Sequence, residues 1–281
     1  MKLPQSLPDH SRLFRPESLP GRLHQRVIGA HWRALHAVAH QRPLPLGYWR
    51  AAGRLSLTQL SWEQSLSPVL YEPRRTAPDV AAPELSELLA GRPLGTWALD
   101  VETIDYVWNA LAAELPEVVI ECGAGTSTHL FAAHFKRQAQ APSALPSVLT
   151  LEQDEQIARS TQEELRRAGL DSLVRVLFFP LDQQSSYAVD ADAMRAALGD
   201  QQADWIFVDG PGGLPGCRWR TLLDLMRYAR PGARWFLDDA LRLYELGVLE
   251  LWARYPGITV EGIIPLGKGL ATGTLTAPGS C

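Results

Sequence analysis

The sequence predicts an α/β domain whose parallel sheet ends in an antiparallel hairpin, preceded by a segment of different character. Three patterns predict it. From about residue 117, short β-rich apolar runs alternate with longer helical stretches; the first run passes through a glycine-rich turn into a helix; and Gly-Lys-Gly alone separates the last two runs.

In chain order, residues 1–95 read as a helical and irregular extension, and residues 96–281 as the α/β domain. Residues 22–41 suit a helix with basic groups on one side. Pro68, Pro73, Pro78, Pro83 and Pro93 mark residues 67–95 as connector. Val101, Ile104, Val107, Trp108, Leu111 and Ala112 predict an amphipathic helix over 100–114. The runs EVVIEC (117–122), SVLTLE (147–152), VRVLFF (174–179), DWIFVD (204–209) and ARWFLD (233–238) suit strands buried on both faces. Helices are expected over 126–138, 153–168, 190–199, 216–229 and 240–255. Residues 138–147 read as a surface loop. The tail, ITVEGIIPL then GKG then LATGTLT, predicts the closing hairpin.

Composition narrows the class. The 281 residues are 46% hydrophobic and 21% charged, which excludes disorder and disulfide scaffolds as descriptions of the whole. A net charge of −4 gives no general basic field, so nucleic acid is not an expected partner. The charge is uneven, because residues 1–50 carry eight Lys or Arg against Asp9 and Glu17. Three scattered cysteines, Cys122, Cys217 and Cys281, predict free thiols in a reducing compartment. With no run of 18 apolar residues, no membrane span or secretory signal is expected, and the cytoplasm is the expected location.

The most informative segment is VVIECGAGTSTHL (118–130), a strand running through Gly123 and Gly125 into Thr126, Ser127 and Thr128. Glycines let a ligand approach the main chain, and a helix start offers unpaired N–H donors to an anion. A dinucleotide fingerprint has a third glycine where Thr128 stands, so an amino-acid carboxylate fits this turn better than a pyrophosphate. Glu152 ends the next strand, 29 residues after Gly123, where a ribose-binding acid would lie. A helix-starting acid is the plainer reading of Glu152.

Glu121 to Thr128, Glu152, the VDGPGG run and LDDALRLYE together resemble a class I S-adenosylmethionine-dependent methyltransferase over about residues 95–277. The form most resembles a small-molecule, O-methyltransferase-like subgroup. The resemblance implies a Rossmann-like seven-stranded sheet with an antiparallel last strand. It implies that Glu121, Cys122, Gly123, Ala124, Gly125, Thr126, Ser127 and Thr128 line the cofactor, that Glu152 holds the ribose hydroxyls, and that Leu181 and Asp182 lie near the adenine. Trp97 would cover the site, or simply belong to the core.

Methyl transfer from a sulfonium needs an aligned acceptor and a route for its proton. Asp209 ends the fourth strand, and Asp238 and Asp239 end the fifth, so three carboxylates are expected to converge. Asp209 and Asp238 are the candidate catalytic acids. An all-oxygen set suits Mg²⁺, making Asp209, Asp238 and Asp239 candidate ligands, as the resemblance to catechol-type enzymes also implies. Metal-free use of Asp209 with one neighbour is the alternative. Asp239 is equally a candidate N-cap. No lysine stands beside these acids in the sequence to serve as base. Arg218 and Arg242 follow the acidic loops, as partners for the acids or as surface groups, and His129 is a candidate base one turn from the glycine loop.

These residues predict a methyltransferase acting on a small-molecule hydroxyl. The alternative is a non-catalytic cofactor-binding or scaffold protein docking a partner through its basic N-terminal segment. A nucleotide-linked oxidoreductase is disfavoured by Thr128 and the antiparallel tail. Residues 1–95 are expected to build the acceptor side or an interface between copies, as in a homo-oligomer.

Overall fold

A computed structural model describes residues 91–92, 98–138, 147–183, 185–213, 217–240, 242–264, 266 and 268–276. The expected helix over 22–41, the proline-rich connector, Trp97, Cys281 and most of the 138–147 loop lie outside these residues.

Seven strands form one sheet in the order β3-β2-β1-β4-β5-β7-β6. They are β1 (Val119–Cys122), β2 (Val148–Glu152), β3 (Val174–Phe178), β4 (Ala203–Val208), β5 (Ala229–Leu237), β6 (Ile258–Ile264) and β7 (Leu270–Leu275). Strands β1 to β5 pair in parallel, whereas β7 runs antiparallel to both β5 and β6. The helices are α1 (Val101–Glu114), α2 (Thr126–Gln138), α3 (Glu155–Arg167), α4 (Ala191–Leu198), α5 (Thr221–Leu225) and α6 (Leu243–Trp252). Among the described residues no helix is long and apolar enough to cross a membrane.

Both faces of the central sheet are covered, as near-continuous apolar strands require. On one face, Val119, Phe207 and Phe236 pack under α1 and α2 through Leu111 and Phe131. On the other, Ile120, Cys122, Val208 and Trp235 pack with Met194, Leu222 and Trp252. The Trp235 and Trp252 rings meet edge to face at 5.2 Å. Gly273 makes room for this pair, because a Cβ there would stand 2.3 Å from the Trp235 ring.

Three expectations need correction. VRVLFF is not buried on both faces: β3 is an edge strand, and Phe178 is 40% exposed. The expected helix over 216–229 is broken into 3₁₀ turns at Cys217–Arg220 and Met226–Tyr228 around α5, and Ala229 already belongs to β5. The Trp219 carbonyl at this break accepts the Trp252 indole N–H at 2.8 Å. Finally, the helix expected from residue 240 starts at Leu243, because Asp239 adopts φ +59° and its carbonyl closes a turn with the Arg242 N–H. Asp239 is therefore not the N-cap.

At the far end of the sheet, Asp204 in β4 accepts from the Glu117 and Val118 N–H groups at 2.6 and 2.8 Å and pairs with Arg230 at 2.7 Å. Asp204→Ala leaves two backbone donors unmatched and should cost about 2–3 kcal/mol, read as a lower urea midpoint at unchanged m-value. A midpoint equal to that of the parent chain would show that this carboxylate does not anchor β1 to β4.

Candidate active site

Strand β1 lies between β2 and β4, so the chain order reverses there, and open α/β sheets bind ligands at the carboxyl ends flanking such a switch point. Gly123 follows β1 with φ +94°, and an added Cβ would stand 3.3 Å from the Asp209 carbonyl carbon and oxygen. Glycine is thus required by both its backbone conformation and the close approach of the segment after β4. Gly125 and Gly212 border open space, since a Cβ on either would meet nothing within 4 Å.

Two buried carboxylates brace this turn. Glu152 Oε2 accepts from the Ala124 N–H at 2.7 Å, while Oε1 accepts from the Gln153 and Asp154 N–H groups at 2.7 and 2.8 Å. Glu121 Oε2 accepts from the Thr128 and Thr150 hydroxyls, both at 2.7 Å. The Thr128 hydroxyl also receives the Gly125 N–H at 2.9 Å. Thr128 therefore fastens the glycine loop to the sheet, a task that a third glycine could not perform.

Across the crevice, the loops after β4 and β5 bring Asp209, Asp238 and Asp239 together, with one oxygen of each within 4.8 Å of the others. Buried Arg218 ties these loops: its guanidinium donates to the Asp209 carbonyl at 2.8 Å and the Asp238 carbonyl at 3.0 Å. It also pairs with Asp209 Oδ1 at 3.3 Å, Asp239 Oδ2 at 3.2 Å and Glu245 Oε1 at 3.7 Å. Arg242 meets Asp239 Oδ2 at 2.8 Å. Lys268, from the β6–β7 turn, sets its Nζ 2.8 Å from Asp239 Oδ1 and 3.5 Å from Asp238 Oδ2.

The electrostatics separate the three acids. Burial pushes the Asp238 carboxyl well above its ordinary range despite Lys268, and neither oxygen has a hydrogen-bond partner among the described residues. Burial also works upward on Asp239, but Lys268, Arg242 and Arg218 together hold it at about 2. Asp209 is raised, mainly by burial and against Arg218. Burial opposes the charge on Lys268, yet Asp239, Asp238 and Asp209 raise its pKa overall, so it stays an ammonium and is no base.

Residues 120–240 match a protein family described as a methyltransferase domain. The matched segment runs from β1 to the end of β5 and holds the glycine turn and all three acids. Similar solved structures include a methyltransferase from Geobacter sulfurreducens, at 18% identity over 76% of this chain and 97% of that one, with a TM-score of 0.46. An O-methyltransferase from Bacillus cereus, solved with S-adenosylhomocysteine, is 16% identical over 79% of this chain and 100% of its own, with a TM-score of 0.46. The O-methyltransferase TomG from Streptomyces achromogenes, involved in tomaymycin synthesis and solved with S-adenosylmethionine, is 16% identical over 77% and 96%, also at 0.46. No curated protein matches the chain.

Around this crevice, the expected residues sort by what they present. Gly123, Ala124 and Gly125 form the turn at the crevice, and Glu152 hydrogen-bonds to it. Cys122 packs as an apolar residue, and Thr126, Ser127 and Thr128 are buried in the first turn of α2. Leu181 bridges to Tyr187, and the Asp182 carboxylate turns to Arg220 at 2.7 Å. His129 turns to Glu164 at 3.2 Å and takes no part in the acid cluster. Arg218 is no surface group.

Three members of the site escaped the sequence. Lys268 corrects the expectation of no nearby lysine; its signal was a lysine between two glycines in a chain whose cations are almost all arginine. Glu245 joins the cluster from α6. Tyr187 is the third: its hydroxyl is buried without a hydrogen-bond partner among the described residues, and a Cβ on Gly210 would stand 2.3 Å from it.

The residues present do not fit Mg²⁺. Asp239 Oδ1 faces Lys268 at 2.8 Å, and Oδ2 faces Arg242 at 2.8 Å and Arg218 at 3.2 Å. Both Asp239 oxygens are thus taken by cations, and Lys268 also stands 3.5 Å from Asp238 Oδ2.

Burial pushes the Glu121 carboxyl up to about 7, against the hydroxyls of Ser127, Thr150 and Thr128. A folded pKa above the unfolded one means stability that is complete below about pH 4.5 and lost as pH rises through about 7. Between pH 5 and 8 the parent chain should therefore lose about 2–3 kcal/mol relative to Glu121→Gln in urea titrations. Parallel pH profiles for the two proteins would contradict this.

Proposed function

We propose that the chain transfers the methyl group of S-adenosylmethionine to a hydroxyl of a small-molecule acceptor. The observation that carries this reading is the glycine turn at 123–125, braced by Glu152 and open at Gly125, facing the acid cluster across the switch point of a methyltransferase domain. When bound, the cofactor supplies an electrophilic methyl for in-line displacement.

The residues suit such a ligand. The turn and the first N–H groups of α2 receive the carboxylate of the methionine part. Glu152 keeps an unused lone pair on Oε2, because each carboxylate oxygen offers about two acceptor sites and Oε1 already receives two N–H groups, and this site takes a ribose hydroxyl. Leu181 stands at the neighbouring end of the crevice, on the side of the adenine, with the buried Tyr187 hydroxyl behind it against Gly210. Burial raises Tyr187 well above its ordinary range, so it stays a donor.

The acceptor's proton goes to Asp209. Its side chain is 14% exposed, whereas those of Asp238 and Asp239 are 0% and 2% exposed. Asp238, the other candidate acid, is enclosed and does not reach the acceptor side. A raised carboxyl is a better proton acceptor than an ordinary one. A hydroxyl is the acceptor this acidic crevice suits.

Calorimetry with S-adenosylmethionine, S-adenosylhomocysteine and NAD tests the reading. Binding of both sulfur nucleosides and not of NAD is expected, and binding of NAD alone would reject it. Glu152→Ala should weaken S-adenosylmethionine by about 1–3 kcal/mol, roughly 5- to 150-fold in Kd. An unchanged Kd would remove Glu152 from the site.

A further inference from the structure

Lys268 sits where a divalent cation would be sought. Its Nζ meets oxygens: Asp239 Oδ1 at 2.8 Å, the Ala98 carbonyl at 3.4 Å and Asp238 Oδ2 at 3.5 Å. Its own backbone N–H donates to Asp100 Oδ2 at 3.1 Å, which fixes the turn that delivers it. The side chain is 6% exposed, so bulk water does not compete for these contacts. Oxygen partners of this kind are what a hard cation requires.

We propose that the Lys268 ammonium is a built-in replacement for a divalent cation, so that the Asp209–Asp238–Asp239 cluster binds no metal and positions the loops after β4 and β5 without one. The proposal deepens the methyltransferase reading and rests on it only for the name of the reaction. Its core is occupancy of the acid oxygens. With Lys268 present, Asp239 Oδ1 and Asp238 Oδ2 face its ammonium at 2.8 and 3.5 Å. With Lys268 replaced by an apolar residue of similar length, those two oxygens lose that cation and can take a divalent ion. Lys268 is on this account a positioning residue, since it touches the acids and not the acceptor.

The test is Mn²⁺ binding by the full chain, read as loss of the free-ion signal in electron paramagnetic resonance. Parent protein should leave the signal unchanged, and Lys268→Met should attenuate it, with an apparent affinity at least about tenfold above the parent's. The double variant Lys268→Met, Asp239→Asn should lose that binding again. Parent protein that binds Mn²⁺, with the binding abolished by Asp239→Asn, overturns the proposal. So does a folded Lys268→Met chain that binds none, because the ammonium would then not be what keeps metal out. If Lys268→Met fails to fold, Lys268→Gln takes its place, and the parent measurement with Asp239→Asn still decides. None of these readouts needs a methyl acceptor. Failure to bind S-adenosylmethionine would overturn the proposed function and leave this inference standing.

Discussion

The geometry of the site depends on charge closure beneath the crevice. Arg218, Arg242 and Lys268 meet Asp209, Asp238, Asp239 and Glu245, all buried except the partly exposed Asp209 and Arg242. Burying so many ionisable groups is tolerable only if charges find opposite ones, because desolvation costs several kcal/mol per ion. The contacts also reach the main chain. Arg218 holds the carbonyls of both Asp209 and Asp238, so the ends of β4 and β5 are set by one side chain. Asp239 sustains a left-handed φ of +59°, uncommon for a residue with a Cβ, and three cations on its carboxylate offset that strain.

The glycine turn depends on this cluster in its own way. Gly123 is held against the carbonyl of Asp209, so the position of the β4 end decides where the turn after β1 can lie. From the other side, Glu121, Thr128 and Thr150 form a smaller polar network within the layer between sheet and helices. One network carries formal charge and the other hydroxyls around a single acid, and β1 with its glycine turn is gripped between them. Rigidity at the carboxyl ends therefore comes from polar groups, while the apolar layers on both faces hold the sheet itself.

Much of this was legible in the sequence. The apolar runs marked the strands because a buried parallel sheet leaves few polar positions along β1, β2 and β4. The hairpin was legible in Gly-Lys-Gly, and the converging acids in where their strands end. The edge character of β3 was not, since VRVLFF is as apolar as its neighbours and only the order of strands leaves it uncovered. The break after Trp219 was also hidden: its helical periodicity is sound, but a carbonyl is diverted to Trp252, 33 residues away. Lys268 was invisible for the same reason, being 29 residues beyond Asp239 in sequence and 2.8 Å from it in space.

The placement of Lys268 explains why these distant segments form one site. Asp100 caps α1 by accepting from the Thr103 N–H at 3.1 Å, and its second oxygen accepts from the Lys268 N–H at the same distance. The Lys268 ammonium then spans from the Ala98 carbonyl to the acids after β5. A single residue of the last hairpin thus joins the entry to the first helix with the end of the fifth strand. A metal ion would join only the side chains that ligate it, and would leave when its concentration fell. A lysine is bound to the chain, and its backbone donor fixes the turn while its ammonium fixes the acids. The same contacts that neutralise the cluster therefore also set the distance between the leading edge of the domain and its chemical end.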